Sequence, residues 1–192
     1  MNAPIDITGG VLKTDRLTLR PWREGDLDDF FEYARVDGVG QMAGWTPHAN
    51  IEESKKILDM FIAEKRTFAL EYEGKVVGSL GIETYDESRY PELGLDEKRG
   101  REIGYVLSKD YWGRGLMTEA LRAVIRWLFD EVKLDFIIVG HFTRNDRSRR
   151  VIEKCGLQYI KTTKFETRFH TVENAMDYIL YHPERRKCDA DT

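Results

Sequence analysis

Two glycines bracketing an arginine, Gly113-Arg114-Gly115, stand directly before Leu116, Met117 and Thr118 and an amphipathic run free of Gly and Pro through Phe129. A strand-like segment ending at Leu107 precedes them. Glycine lets the backbone come close to a ligand, and the first turn of a helix carries unpaired N–H groups and the positive end of the dipole. Strand, tight turn and helix N-terminus in that order make an anion site suited to phosphates. Three further places carry side chains capable of chemistry. Asn145 and Ser148 lie one turn apart at the start of a second helical pattern, where Asn145 is also a favoured N-cap. Glu102 opens the strand before the glycine turn, either as a proton acceptor or as a solvated strand-end carboxylate paired with Arg101. Trp45, with Thr46-Pro47-His48 after it, either walls an entrance or anchors packing ahead of a helix. His48, His141, His170 and His182 show no metal-like spacing and join no cysteine cluster, so no metal is assigned.

The elements that must position these groups follow from periodicity. Residues 16–20 alternate apolar and polar up to Pro21 and read as a short strand. Leu27, Phe30, Phe31 and Ala34 fall at helical spacing, and Asn50 caps a second helix with Ile51, Ile57, Leu58, Phe61 and Ile62 on its core face. Segments 67–72 and 75–85 flank Glu73-Gly74 as an antiparallel hairpin. The charged stretch 86–100 is expected to be a solvated connection, the alternative being that it borders the acceptor and favours a basic peptide or polyamine. In the strand from Glu102 to Leu107, Ile103, Tyr105 and Leu107 take one face and Glu102, Gly104 and Val106 the other. The helix behind Gly115 has its apolar stripe at Leu116, Ala120, Leu121, Val124, Ile125 and Leu128. Phe136 to Val139 is continuously apolar, as in a strand covered on both faces, so a strand-helix-strand crossover is expected. A short helix, 145–154, closes at Gly156, and 159–165 with 175–181 form a second hairpin over a long connection. One domain over 11–182 is expected, with 1–10 and 183–192 as flexible ends.

A chain of 192 residues with 41% apolar and 33% charged content buries a core without staples. Its net charge of -4 argues against non-specific nucleic-acid binding, which needs surplus Lys and Arg. Two cysteines, Cys155 and Cys188, have no reason to pair and suit a reducing cytoplasm. The first ten residues lack the pattern of an export signal, and no apolar run approaches the roughly 18 residues that span a bilayer.

Trp112-Gly113-Arg114-Gly115-Leu116-Met117, followed by Asn145-Asp146-Arg147-Ser148 and then Glu153-Lys154-Cys155-Gly156-Leu157, resembles the two signature regions of GNAT-type, acetyl-CoA-dependent N-acetyltransferases. The chain is most similar to the branch holding the ribosomal-protein N-terminal alanine and serine acetyltransferases, since the Leu17-to-Trp22 and Gly44-to-His48 segments also match. The resemblance implies an α/β (α+β) fold: a mixed, mostly antiparallel sheet of about seven strands flanked by helices, with the crossover carrying the coenzyme A site. It implies that Trp112 and the amides of Gly113 to Thr118, with the charge of Arg114, cradle the pyrophosphate. Main-chain groups of Val106 and Leu107 would pair with the pantetheine arm, and Asn145 would bond that arm or fix the loop beside it. Glu102 would draw the proton from the acceptor amine, with Trp45 also touching the acceptor. Two departures stand out. Trp112 replaces Arg or Gln and Met117 replaces Gly or Ala, and the position that holds a thiolate-protonating tyrosine in many members is Ile152, which leaves Ser148 as the candidate acid.

The implied activity is transfer of acetyl from acetyl-CoA to a primary amine by direct attack, with a protein N-terminus, such as that of a ribosomal protein, the leading acceptor. Polyamines, amino acids and aminoglycosides are alternative acceptors, and a non-catalytic acyl-CoA-binding module is the reading from another class. A nucleotide-phosphate enzyme would need a Lys-Ser/Thr pair where Leu116-Met117 stands. No nucleic acid or membrane partner is expected, and the state is monomer or homodimer.

Overall fold

A computed structural model describes residues 1–184 of the chain. Twelve elements carry the fold: β1 (Leu12–Lys13), β2 (Leu17–Pro21), α1 (Leu27–Ala34), α2 (Ile51–Glu64), β3 (Thr67–Tyr72), β4 (Lys75–Glu83), β5 (Gly100–Leu107), α3 (Leu116–Asp130), β6 (Phe136–Phe142), α4 (Asp146–Lys154), β7 (Gln158–Glu166) and β8 (Val172–Tyr181). The strands form one sheet in the order β1-β2-β3-β4-β5-β6-β8-β7. Every neighbouring pair is antiparallel except β5 and β6, which the crossover through α3 makes parallel. The expected class holds; the additional strand is the two-residue β1, too short for alternation to reveal.

Helices α3 and α4 cover one face of the sheet. There Leu121, Val124 and Leu128 of α3 meet Ile103 of β5 and Ile137 and Val139 of β6, all buried. Each such side chain contributes roughly 1.5–3 kcal/mol through burial, so α3, and with it the glycine turn, is held by its whole apolar stripe. Helices α1 and α2 cover the other face, where Phe30, Tyr33 and Leu58 pack on Ala69 and Val76. The start of α1 is fixed by Arg20, whose guanidinium forks onto the two Asp26 oxygens at 2.8 Å and reaches Glu71 at 2.6 Å.

Three expectations change. The stretch 86–100 is not a merely solvated connection: Tyr90 and Leu95 are buried with Tyr85, Phe136, Ile138 and Ile179, and Arg89 pairs with the buried Asp177 at 2.8 Å. Residues 1–10 are not a loose end, because Ala3 and Ile7 are 0% and 1% exposed and Asn2 exchanges side-chain hydrogen bonds with the Tyr85 main chain at 2.9 and 3.0 Å. The last hairpin has no long connection either, because β7 and β8 run on until only residues 167–171 lie between them. Cys188 and the expected tail, from residue 185 onward, lie outside the described residues.

Candidate active site

β5 pairs with β4 along Glu102–Leu107, but with β6 only through Gly100–Ile103. Past Ile103 the two parallel strands separate and leave a wedge. Which main-chain groups face it follows from the ladder's alternation. Ser108 donates its N–H to Val77 of β4 at 2.7 Å, and the Arg99 carbonyl receives the Asp135 N–H on the β6 side at 2.7 Å. Even-numbered residues of β5 therefore turn their main chain to β4, and odd-numbered ones to β6 and the wedge. Leu107 turns its main chain to the wedge, although its carbonyl already accepts the Trp112 indole N–H at 2.8 Å. Val106 does not: a side chain on Gly78 would collide with its carbonyl oxygen, so it is the main chain of Tyr105, not of Val106, that turns to the wedge.

The N-terminus of α3 closes one end of the wedge. Gly113 and Gly115 have φ of +77° and +80°, a region costly for any residue with a Cβ, and no side chain caps the helix. The first-turn N–H groups of α3 thus lack a side-chain acceptor, beside a turn with nothing within 4 Å of where a Gly113 side chain would be. That is a cradle for a phosphate anion, and it fits the pyrophosphate of coenzyme A. Arg16 of the β1–β2 turn fixes it from behind, binding Glu119 of α3 at 2.6 Å and donating to the Arg114 carbonyl at 2.9 Å. Nothing in sequence joins residues so far apart. Arg114 lies over the Tyr111 ring at 4.9 Å and Arg147 over Trp112 at 4.5 Å, so both guanidinium groups rim the turn. Met117 and Leu116 point into the core, 5% and 1% exposed, which explains why a bulky residue at 117 leaves the cradle open.

A cavity of about 300 Å³ runs from this turn along the wedge. Its lining includes Val106, Leu107, Trp112, Gly113, Gly115, Met117, Thr118, Asn145 and Ser148, so the structure gathers most of the expected cofactor residues on one cleft. Asn145 caps α4, accepting the Ser148 N–H at 3.1 Å, and also donates to the Met42 carbonyl at 3.5 Å, which ties the α1–α2 loop to the cleft. Ser148 is 8% exposed and its Oγ lies 2.8 Å from the Tyr105 hydroxyl. Tyr105 escaped the sequence reading because it sits at a core position of β5; burial raises its pKa, so it serves as a neutral hydrogen-bonding partner. Ile152 is wholly buried.

On the opposite face of β5 lies a slot of about 420 Å³, walled by Phe30, Trp45, His48, Ile57 and Phe61 and floored by Gly81 and Gly104. Trp45 both lines this slot and packs on the His48 ring at 5.1 Å, so its two readings coexist. His48 accepts or donates at Ser54 Oγ, 2.7 Å away, and burial lowers its pKa. The two cavities share Ala43, Tyr105 and Val106. Glu102 does not line the slot. It stands at the start of β5 across from Glu83, on the same strand face as Gly104, where burial pushes its carboxyl up to about 7 against the pull of Arg89, with Asp177 and Glu83 adding to the rise. Two carboxylates line the slot, Glu53 and Glu83; Glu83 is bound to Arg66 at 3.0 Å and likewise raised by burial.

This fold recurs in solved structures. An acetyltransferase of the GNAT family from Bacillus anthracis superposes with a TM-score of 0.76 at 21% identity, over 90% of this chain and 98% of that one. The ribosomal-protein-S5-alanine acetyltransferase from Vibrio fischeri gives 0.71 at 18% identity, over 91% and 97%. In sequence, the uncharacterized N-acetyltransferase YoaA of Bacillus subtilis is 29% identical over 154 residues, 77% of this chain and 82% of that protein. The family model described as acetyltransferase (GNAT) domain matches residues 16–158, and the chain belongs to that family. It is an acetyl-CoA-dependent N-acetyltransferase.

Proposed function

We propose that this enzyme transfers acetyl to the primary amine of a protein N-terminus, by direct attack from the slot on an acetyl group held in the wedge. The observation that carries the reading is the pair of cavities on opposite faces of β5, which meet at Ala43, Tyr105 and Val106. A donor and an acceptor entering from the two sides are brought to one point with their reacting atoms in line, which supplies much of the rate. The likeness to a ribosomal-protein acetyltransferase supports the choice of a protein amine.

Gly113, Gly115 and the first turn of α3 bind the pyrophosphate through main-chain N–H groups, and Tyr105 and Leu107 present strand edge to the pantetheine arm. When bound, acetyl-CoA supplies an activated acyl thioester. The amine nitrogen forms the new C–N bond as the C–S bond breaks. The proton lost by the amine nitrogen as it attacks passes to the carboxylate of Glu102, and the departing thiolate takes a proton from Ser148 Oγ, which Tyr105 holds in place and which solvent reprotonates. A thiol of ordinary pKa near 8.5 leaves readily, so Ser148 and Tyr105 assist without being indispensable. Incubation with acetyl-CoA and a panel of N-terminal peptides and small amines, read by mass spectrometry, tests the proposal. Acetylated α-amines on peptides are expected; acetylation of small amines alone would reject the acceptor class, and tight acetyl-CoA binding without turnover on any amine would make the chain a binding module.

A further inference from the structure

Glu83 ends β4 directly across from Glu102 in the β4–β5 register. Carboxylates opposed on neighbouring strands repel, and Arg66 relieves the repulsion from one side by holding Glu83 Oε2 at 3.0 Å. With that oxygen held, Oε1 folds back over the slot floor. A Cβ built on Gly81 would lie 2.6 Å from Glu83 Oε1 and 3.4 Å from Thr67 Oγ1. Gly81 faces Gly104 across the ladder, and a Cβ on Gly104 would meet nothing within 4 Å. Beside the wedge, the floor is therefore bare backbone with one carboxylate oxygen lying over it.

We infer that Glu83 is the carboxylate that seats the acceptor's ammonium, and that the slot takes a single primary ammonium carried on a compact apolar body. The inference rests on the transfer reading above and adds the residue and the chemistry of the acceptor. Phe30, Trp45, Ile57 and Phe61 supply apolar walls for that body. The slot's other carboxylate, Glu53, is engaged by the Ala49 N–H at 2.8 Å, and Arg168 brings positive charge to the same slot, which opposes a second cation. Glu64, Arg101 and Arg168 also face Glu83 electrostatically, so its charge is balanced rather than isolated. The ammonium proton moves from nitrogen to Glu83 Oε1, which frees the nitrogen lone pair for attack.

The test uses the full chain, with L-leucinamide and spermidine as amine probes and acetyl-CoA as a separate titrant, all by calorimetry. Glu83→Gln should weaken leucinamide binding at least about tenfold, the loss of one charge-assisted contact, while leaving acetyl-CoA affinity as in the parent. Glu83→Asp should fall between, and Gly81→Ala, which displaces Oε1, should also weaken the amine. In turnover, Glu83→Gln should raise the amine KM more than it lowers kcat. Unchanged leucinamide binding in Glu83→Gln, no leucinamide binding by the parent, or a parent that prefers spermidine would each overturn the inference. An enzyme that acetylates amines regardless of Glu83 keeps the proposed function and loses this seat; one that binds leucinamide through Glu83 but transfers nothing does the reverse.

Discussion

Among single residues, one carboxyl and one hydroxyl pair carry the proton transfers of the proposed reaction. Glu102, pushed up to about 7, is half ionised where its proton acceptance is most useful, so kcat/KM should rise with pH and bend near 7. Glu102→Gln should erase that bend and shift the fast reaction to higher pH, where the ammonium loses its proton unaided; a pH–rate profile overlaying the parent's would end the assignment. Tyr105→Phe removes the partner 2.8 Å from Ser148 Oγ. It should lower kcat by roughly tenfold at most, at the low end of general acid effects, with acetyl-CoA affinity unchanged. Stopped-flow thiol release would measure it. Glu102 and Ser148 were legible in the sequence as polar residues at element ends. Tyr105 and Glu83 were not, because alternation placed the one in the core and nothing in a linear chain shows that a carboxylate folds back over a glycine two residues before it.

At the scale of elements, the wedge exists because two strands that run parallel through Ile103 part before the turn that starts α3. The strand-turn-helix sequence around Gly113-Arg114-Gly115 was legible almost to the residue, since turn chemistry and helical periodicity are local. Which of Val106 and Leu107 faces the wedge was not, because it depends on ladder parity set by β4 and β6. The buried packing of Tyr90 and Leu95 was hidden for a related reason: these residues follow no period and lie among charges. Gly115→Ala meets only ordinary contact, with Arg16 3.6 Å away, so its cost comes from φ alone, about 1–2 kcal/mol. It should lower Tm modestly and weaken acetyl-CoA binding more than amine binding, both measurable on the same preparation. Equal loss of both ligands would mean that the substitution disturbs the whole domain rather than the cradle.

At the scale of the molecule, the proposed reaction has the sheet hold donor and acceptor apart and let them meet at one strand, and the desolvated Glu102 carboxyl at the start of that strand links function to stability. Glu102 holds a proton in the fold up to about pH 7, whereas an unfolded glutamate releases it near 4.5. The fold therefore gains from Glu102 protonation below about 4.5, and this contribution is lost as pH rises to 7. Above pH 7, Glu102→Gln should raise Tm relative to the parent, while at pH 4 the two should nearly coincide. Thermal melts across that range would show it, and parallel curves would contradict it. The central claim, that donor and acceptor occupy opposite faces of β5 and meet at Tyr105 and Val106, is tested most directly with a bisubstrate conjugate that joins coenzyme A through an acetyl linker to a peptide α-amine. Inhibition should be competitive against both acetyl-CoA and the amine, and tighter than with coenzyme A alone; competition with acetyl-CoA only, at the affinity of coenzyme A, would contradict the two-sided arrangement.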